Sequence, residues 1–171
     1  MCNLRKRYLT ALAALPLLLL VAFVAAEEPT DYKELKKALP ETIAGLKMAE
    51  SSGQNINANG QKFSQVVGEY EGEEKTTATL NIVDYSAMPQ MAMAMTAWKN
   101  MEFERESDDG YQKSTKIKDC PAMISWENTG TGSATVLVDD TFILQLDLRN
   151  ATPEQFEQAI TELPIEALGG V

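Results

Sequence analysis

The chain has 171 residues, with 15 Lys and Arg against 25 Asp and Glu, no histidine, two cysteines and a formal charge of −10. An acidic field of that size repels phosphate backbones and anionic lipid surfaces, so nucleic acid is not an expected partner. Without histidine the commonest general base, the usual Ser or Cys triads and the usual zinc ligand sets are all missing, and no enzymatic chemistry is expected.

Residues 1–26 read as a signal peptide. Arg5, Lys6 and Arg7 form a basic n-region, Leu9 to Val24 is an apolar run, and Val24-Ala25-Ala26 supplies small residues ahead of Glu27. Cleavage is expected after Ala26. That places one domain at residues 27–171, its core between about 31 and 168, in the periplasm or secreted, with no membrane span after signal cleavage. An uncleaved anchor is the alternative, because the apolar run approaches bilayer-spanning length; Pro16 and the Ala-rich end favour cleavage. Cleavage removes three basic residues and no acidic one, leaving 12 Lys and Arg against 25 Asp and Glu, a balance of −13. Cys2 leaves with the signal. Cys120 then has no partner for an internal disulfide and is expected to be a buried thiol.

The spacing of Tyr32, Leu35 and Leu39 predicts a first helix from about Asp31 to Leu39, with Thr30 as N-cap and Pro40 closing it. A short strand follows around Gly45 to Glu50. The polar, Gly- and Asn-rich stretch from Ser51 to Gln61 then reads as a loop, and as a candidate binding loop. FSQVVGEYEG and TTATLNIVDYS are predicted strands joined by the acidic turn Gly72 to Lys75; in the second, Ala78, Leu80 and Ile82 alternate with polar residues. Beyond the methionine-rich segment, YQKSTKIKD and AMISWEN are the next strands. ATVLV and FILQLDL flank Asp139-Asp140-Thr141 as a tight hairpin, with Phe142, Leu144, Leu146 and Leu148 turned inward. Thr152, Pro153 and Gln155 form a capping box that opens the last helix, carrying Phe156, Ala159, Ile160 and Leu163 until Pro164. The expected fold is α+β: a single domain with a largely antiparallel sheet of about six to seven strands and helices packed on it.

A small exported chain with a meander, a mid-chain helix, a second meander ending in VLVDDTFILQLDL and a C-terminal amphipathic helix is similar to the Mog1/PsbP-like domains of bacterial envelope proteins. The resemblance spans about Asp31 to Leu168. It implies a helix-flanked antiparallel sheet serving as an accessory or binding module, and it transfers no site residue.

Met88 to Met101, MPQMAMAMTAWKNM, holds five of the eight methionines and one of the two tryptophans. As a helix opened by Pro89, it aligns Met88, Met91, Ala94, Met95, Trp98 and, at the edge, Met101 on one stripe, with Met93 opposite. Such a stripe suits a helix lying across a sheet. The alternative is a soft-metal site for Cu(I) or Ag(I), with Met88, Met91 and Met95 as thioether ligands and Trp98 over the cation. No other cofactor is implied.

The remaining signals read as local structure. Asp108-Asp109 and Asp139-Asp140 are the candidates for carboxylate chemistry, but both sit where turns are expected. Glu106 to Gly110 lacks the ligand spacing of a calcium loop. Gly130 to Ser133 lacks the lysine of a phosphate loop and reads as a hairpin turn, and Thr152 in Asn150-Ala151-Thr152 is needed as a helix cap. The functional expectation is a non-catalytic exported accessory or binding domain, meeting a protein partner or small ligand through a sheet edge or the Ser51 to Gln61 loop. The alternative is a soft-metal binding protein.

Overall fold

A computed structural model describes residues 28–169. The expected signal segment and its cleavage point lie outside the described residues. Nine strands form one antiparallel sheet in the order β1-β2-β3-β4-β9-β8-β7-β6-β5. The first meander comprises β1 (Thr42–Ile43), β2 (Leu46–Ala58), β3 (Gln61–Glu71) and β4 (Thr77–Asp84); the second comprises β5 (Glu104–Ser107), β6 (Gly110–Ile117), β7 (Cys120–Glu127), β8 (Thr131–Val138) and β9 (Phe142–Arg149). They join where β4 pairs with β9, from Thr77 opposite Arg149 to Asp84 opposite Phe142.

Two-residue alternation gives this sheet an inner and an outer face. Ala78, Leu80 and Ile82 of β4, Leu144, Leu146 and Leu148 of β9, and Ala134 and Val136 of β8 are buried on the inner face. Three short helical elements cover it. α1 (Tyr32–Leu35), continued by a 3-10 turn, contributes Leu35 and Ala38; α3 (Pro153–Thr161) contributes Phe156 and Ala159; α4 (Ile165–Leu168) contributes Ile165 and Leu168. Phe156 stacks on Trp126 with ring centroids 5.5 Å apart. The capping box of α3 is formed, with Gln155 N donating to Thr152 Oγ1 at 3.2 Å and Thr152 N donating to Gln155 Oε1 at 2.9 Å. α1 is capped by Asp31, whose side chain accepts from Lys33 N, and not by Thr30.

The outer face is polar. Gln65, Asn81 and Gln145 make a hydrogen-bonded ladder across β3, β4 and β9, and the hydroxyls of Ser125 and Ser133 bond across β7 and β8 at 2.8 Å. At one end this face turns apolar, and there α2 (Pro89–Trp98) brings its C-terminal end against the sheet, Trp98 beside Pro121 and Met123. Tyr85 and Leu137 are 1% and 2% exposed yet lie outside the main core cluster. Leu137 alternates with the inward Val136 and Val138 and pairs with Ile143, so it points outward. Ten helical residues reach about 15 Å, which matches the three inter-strand steps from β4 to β7. Lys99 reaches Asp140 at 2.9 Å and fixes the far end.

This architecture corrects the expected α+β fold of six to seven strands with packed helices. The protein is predominantly strand, a nine-stranded sheet trimmed with short helices. Two added strands are β1, two residues long, and β5, whose four residues are all exposed and therefore carry no alternation. The Ser51 to Gln61 segment is not a loop. It is most of β2 and the turn into β3, with Asn59 and Gly60 both at positive φ, 55° and 78°, as a two-residue type I′ hairpin requires. Its composition hides the strand because beyond Leu46 no residue of β2 is buried, so nothing selects for an apolar period.

Candidate functional site

β2 is thirteen residues long, but β1 pairs with it only at Leu46 and Lys47. On its other side it pairs with β3 as far as Ala58 opposite Gln61. The side facing away from β3 is therefore open over most of the strand. Lys36 Nζ donates to the carbonyl of Ser51 at 2.9 Å, so that carbonyl points out of the sheet. By the two-residue period of strand hydrogen bonding, the peptide groups of Gly53, Asn55 and Asn57 point the same way. α1 buttresses this edge from the inner face. The Tyr32 ring sits where a Cβ on Gly53 would come within 2.7 Å of it, Asn55 Oδ1 accepts from Tyr32 N at 3.0 Å, and Asn55 Nδ2 donates to Asp31 Oδ2 at 2.8 Å. A β-bulge between Met48 and Glu50 marks where cover by β1 ends and the free edge begins.

No charged residue occurs from Ser51 to Gln61. At the opposite edge, β5 is four residues long and three of them are Glu104, Arg105 and Glu106. Short length and charge are the usual protection of an exposed edge. The sheet therefore has one guarded edge and one open edge, and the open one is a preformed row of peptide donors and acceptors.

The methionine-rich helix is a second surface feature. Met88, Met91, Met95 and Trp98 are half-buried, and Ala94 is exposed although the stripe would place it against the sheet. Met93, Met101 and Phe103 are the exposed large apolar side chains among the described residues, at 76%, 49% and 38%. The helix has no side-chain N-cap. A void of about 30 Å³ remains between Trp98, Met101, Pro121 and Met123. The Tyr85 hydroxyl is buried and has no partner among the described residues, and burial, with the nearby charges of Asp140 and Asp84, pushes that phenol up to about 12.

The carboxylates do not converge. Asp108 and Asp109 turn the β5–β6 hairpin and border a groove of about 670 Å³ with Arg105, Gln112, Ser125 and Glu127. Asp139 and Asp140 turn the β8–β9 hairpin with φ of 50° and 53°, and Asp140 is engaged by Lys99. Asp139 instead borders a cleft of about 410 Å³ with Glu28, Thr30 and Asp84. Asp84, 1% exposed, escaped the sequence reading; it completes the alternation Ala78, Leu80, Ile82 on β4 and could have been read from it. Its oxygens accept from Thr30 N at 2.8 Å and Ser86 N at 2.9 Å, tying the N-terminal segment and the β4–α2 turn to the sheet. Among the described residues no three His, Cys, Asp or Glu side chains gather as a metal site. Cys120 is half-buried, and burial, then Asp139 and Asp119, push its thiol up, which disfavours the thiolate form. No described helix is long and apolar enough to cross a membrane. No protein-family model, curated protein or solved structure matches the chain.

Proposed function

We propose that the protein is a non-catalytic, exported binding module that takes up an extended segment of a partner protein as a tenth strand along β2. The observation that carries this reading is the free, uncharged edge from Gly53 to Ala58, beyond the Ser51 carbonyl that Lys36 occupies, set against the short and charged β5. Strand addition derives its affinity from main-chain hydrogen bonds, which Gly53, Asn55 and Asn57 present, and its selectivity from side chains alternating beside the edge. Ile56, half-buried between the exposed Gln54 and Ala58, offers the one large apolar contact on that strip. Selection from a random library of extended peptides tests this. Enriched peptides should slow amide exchange at Gly53, Asn55 and Asn57. They should bind Asn57→Pro at least tenfold more weakly, while that variant keeps its thermal stability, because proline is tolerated where the edge N–H faces solvent. Peptides that protect other amides, or β2 edges that pair only with a second copy of the chain, would sink the reading.

A second reading is soft-metal carriage on α2. What favours it is that Met88, Met91, Met95 and Trp98 lie half-exposed at the surface, so their soft donors are not sealed in the core. Saturable Cu(I) binding that quenches Trp98 and is lost in the Met91→Leu, Met95→Leu double variant would support it. Full binding by that variant would refute it.

A further inference from the structure

We infer that α2 is a modification site: an oxygen acceptor for peroxide-class two-electron oxidants, whose methionine sulfoxides release the helix from the outer face while the sheet and its inner core stay folded. The inference is independent of the β2 edge. Thioethers are the nucleophiles an oxidant meets first here, because the half-buried Cys120 thiol is kept from its reactive thiolate form. Five of the eight lie between Met88 and Met101, on α2 and its immediate flanks. Met93 and Met101 project into solvent, Met88, Met91 and Met95 are half-buried on the side turned to the sheet, and Met48 is packed against the core.

In each step a sulfur lone pair attacks one peroxide oxygen and the O–O bond breaks. The departing hydroxide is protonated to water. Sulfur loses two electrons, the peroxide gains them, and one oxygen stays on the methionine. At Met93 the new dipole faces water and costs the fold nothing. At Met91 and Met95, which are half-buried, it replaces apolar packing of the thioether with a polar S–O group that is better hydrated when the helix lifts away.

The helix is built to yield. No described residue of α2 is buried, a void lies under its C-terminal end, and its ion pair with the sheet, Lys99 to Asp140, is at the surface. The inner face keeps its own cover from α1, α3 and α4, so the sheet survives the loss.

Graded hydrogen peroxide on the purified protein, followed by peptide-resolved mass and amide exchange, tests the inference. Met93 and Met101 should gain oxygen first, Met88, Met91 and Met95 next, and Met48 last. Amides of 89–98 should lose protection as the middle group oxidises, while β4, β8 and β9 keep theirs. Methionine sulfoxide reductases should restore both mass and protection. The Met91→Leu, Met95→Leu variant should hold its helix through oxidation, and Met93→Leu should release it as the parent does. Oxidation of every α2 methionine with unchanged α2 exchange, or Met48 reacting as fast as Met93, would overturn the assignment.

Discussion

Tyr70 and Tyr85 separate two roles that one residue type plays at equal burial. Burial pushes both phenols up to about 12, with Asp140 and Asp84 adding to the effect at Tyr85. Tyr70 donates to the Pro40 carbonyl at 2.9 Å, whereas the Tyr85 hydroxyl has no partner. An unfolded tyrosine ionises near pH 10. A folded-state value above that means the fold prefers the neutral phenol, so this stabilisation is complete below about pH 10 and is lost as pH rises through about 12, at roughly 2–3 kcal/mol per tyrosine. Urea unfolding at neutral pH and again above pH 10 should therefore distinguish the two phenylalanine variants. Tyr70→Phe should cost about 1 kcal/mol at neutral pH, and Tyr85→Phe should be neutral or stabilising by up to about 1 kcal/mol. Both variants should shrink the alkaline loss. A cost above about 1 kcal/mol for Tyr85→Phe would mean that its hydroxyl is satisfied in solution.

Among the elements, those with one buried face were legible in the sequence. β4 and β9 announce themselves by alternation, and α3 by its capping box and helical spacing. Elements without a buried face were not. β5 is fully exposed, β1 is too short to show a period, and β2 past Leu46 has neither face sealed, so its Gly and Asn content read as loop. The Asn59-Gly60 dipeptide was the available clue, since both residues accept the positive φ that a tight hairpin needs. Helical period located α2 but not its burial, because an apolar Met93 opposite the stripe blurs which side should be covered. The candidate edge was illegible for a different reason. Which strand lies at an edge depends on the pairing of β4 with β9, residues as far apart in sequence as Thr77 and Arg149, and no local pattern encodes that partner.

For the whole molecule, charge bears on both stability and the open edge. The full chain carries −10, and its described ion pairs, Lys37 with Glu34, Lys62 with Glu28, Lys99 with Asp140 and Lys118 with Glu166, all involve solvent-reached side chains. Exposed pairs of that kind contribute about 0–1 kcal/mol each, so screening them removes little attraction. Screening the net charge relieves self-repulsion across the molecule. Raising salt from 0.01 M to 0.15 M shortens the screening length from about 30 Å to about 8 Å, which cuts repulsion between distant carboxylates more than contact attraction within pairs. The same repulsion acts between two copies approaching edge to edge, which favours a neutral or basic segment over a second copy on β2. The expected result is a Tm that rises by a few degrees over that salt range, equally in sodium and potassium chloride, at a protein concentration low enough to keep the chain monomeric. A Tm that falls would show that local ion pairs outweigh the net field, and the electrostatic argument against self-pairing at β2 would fail with it.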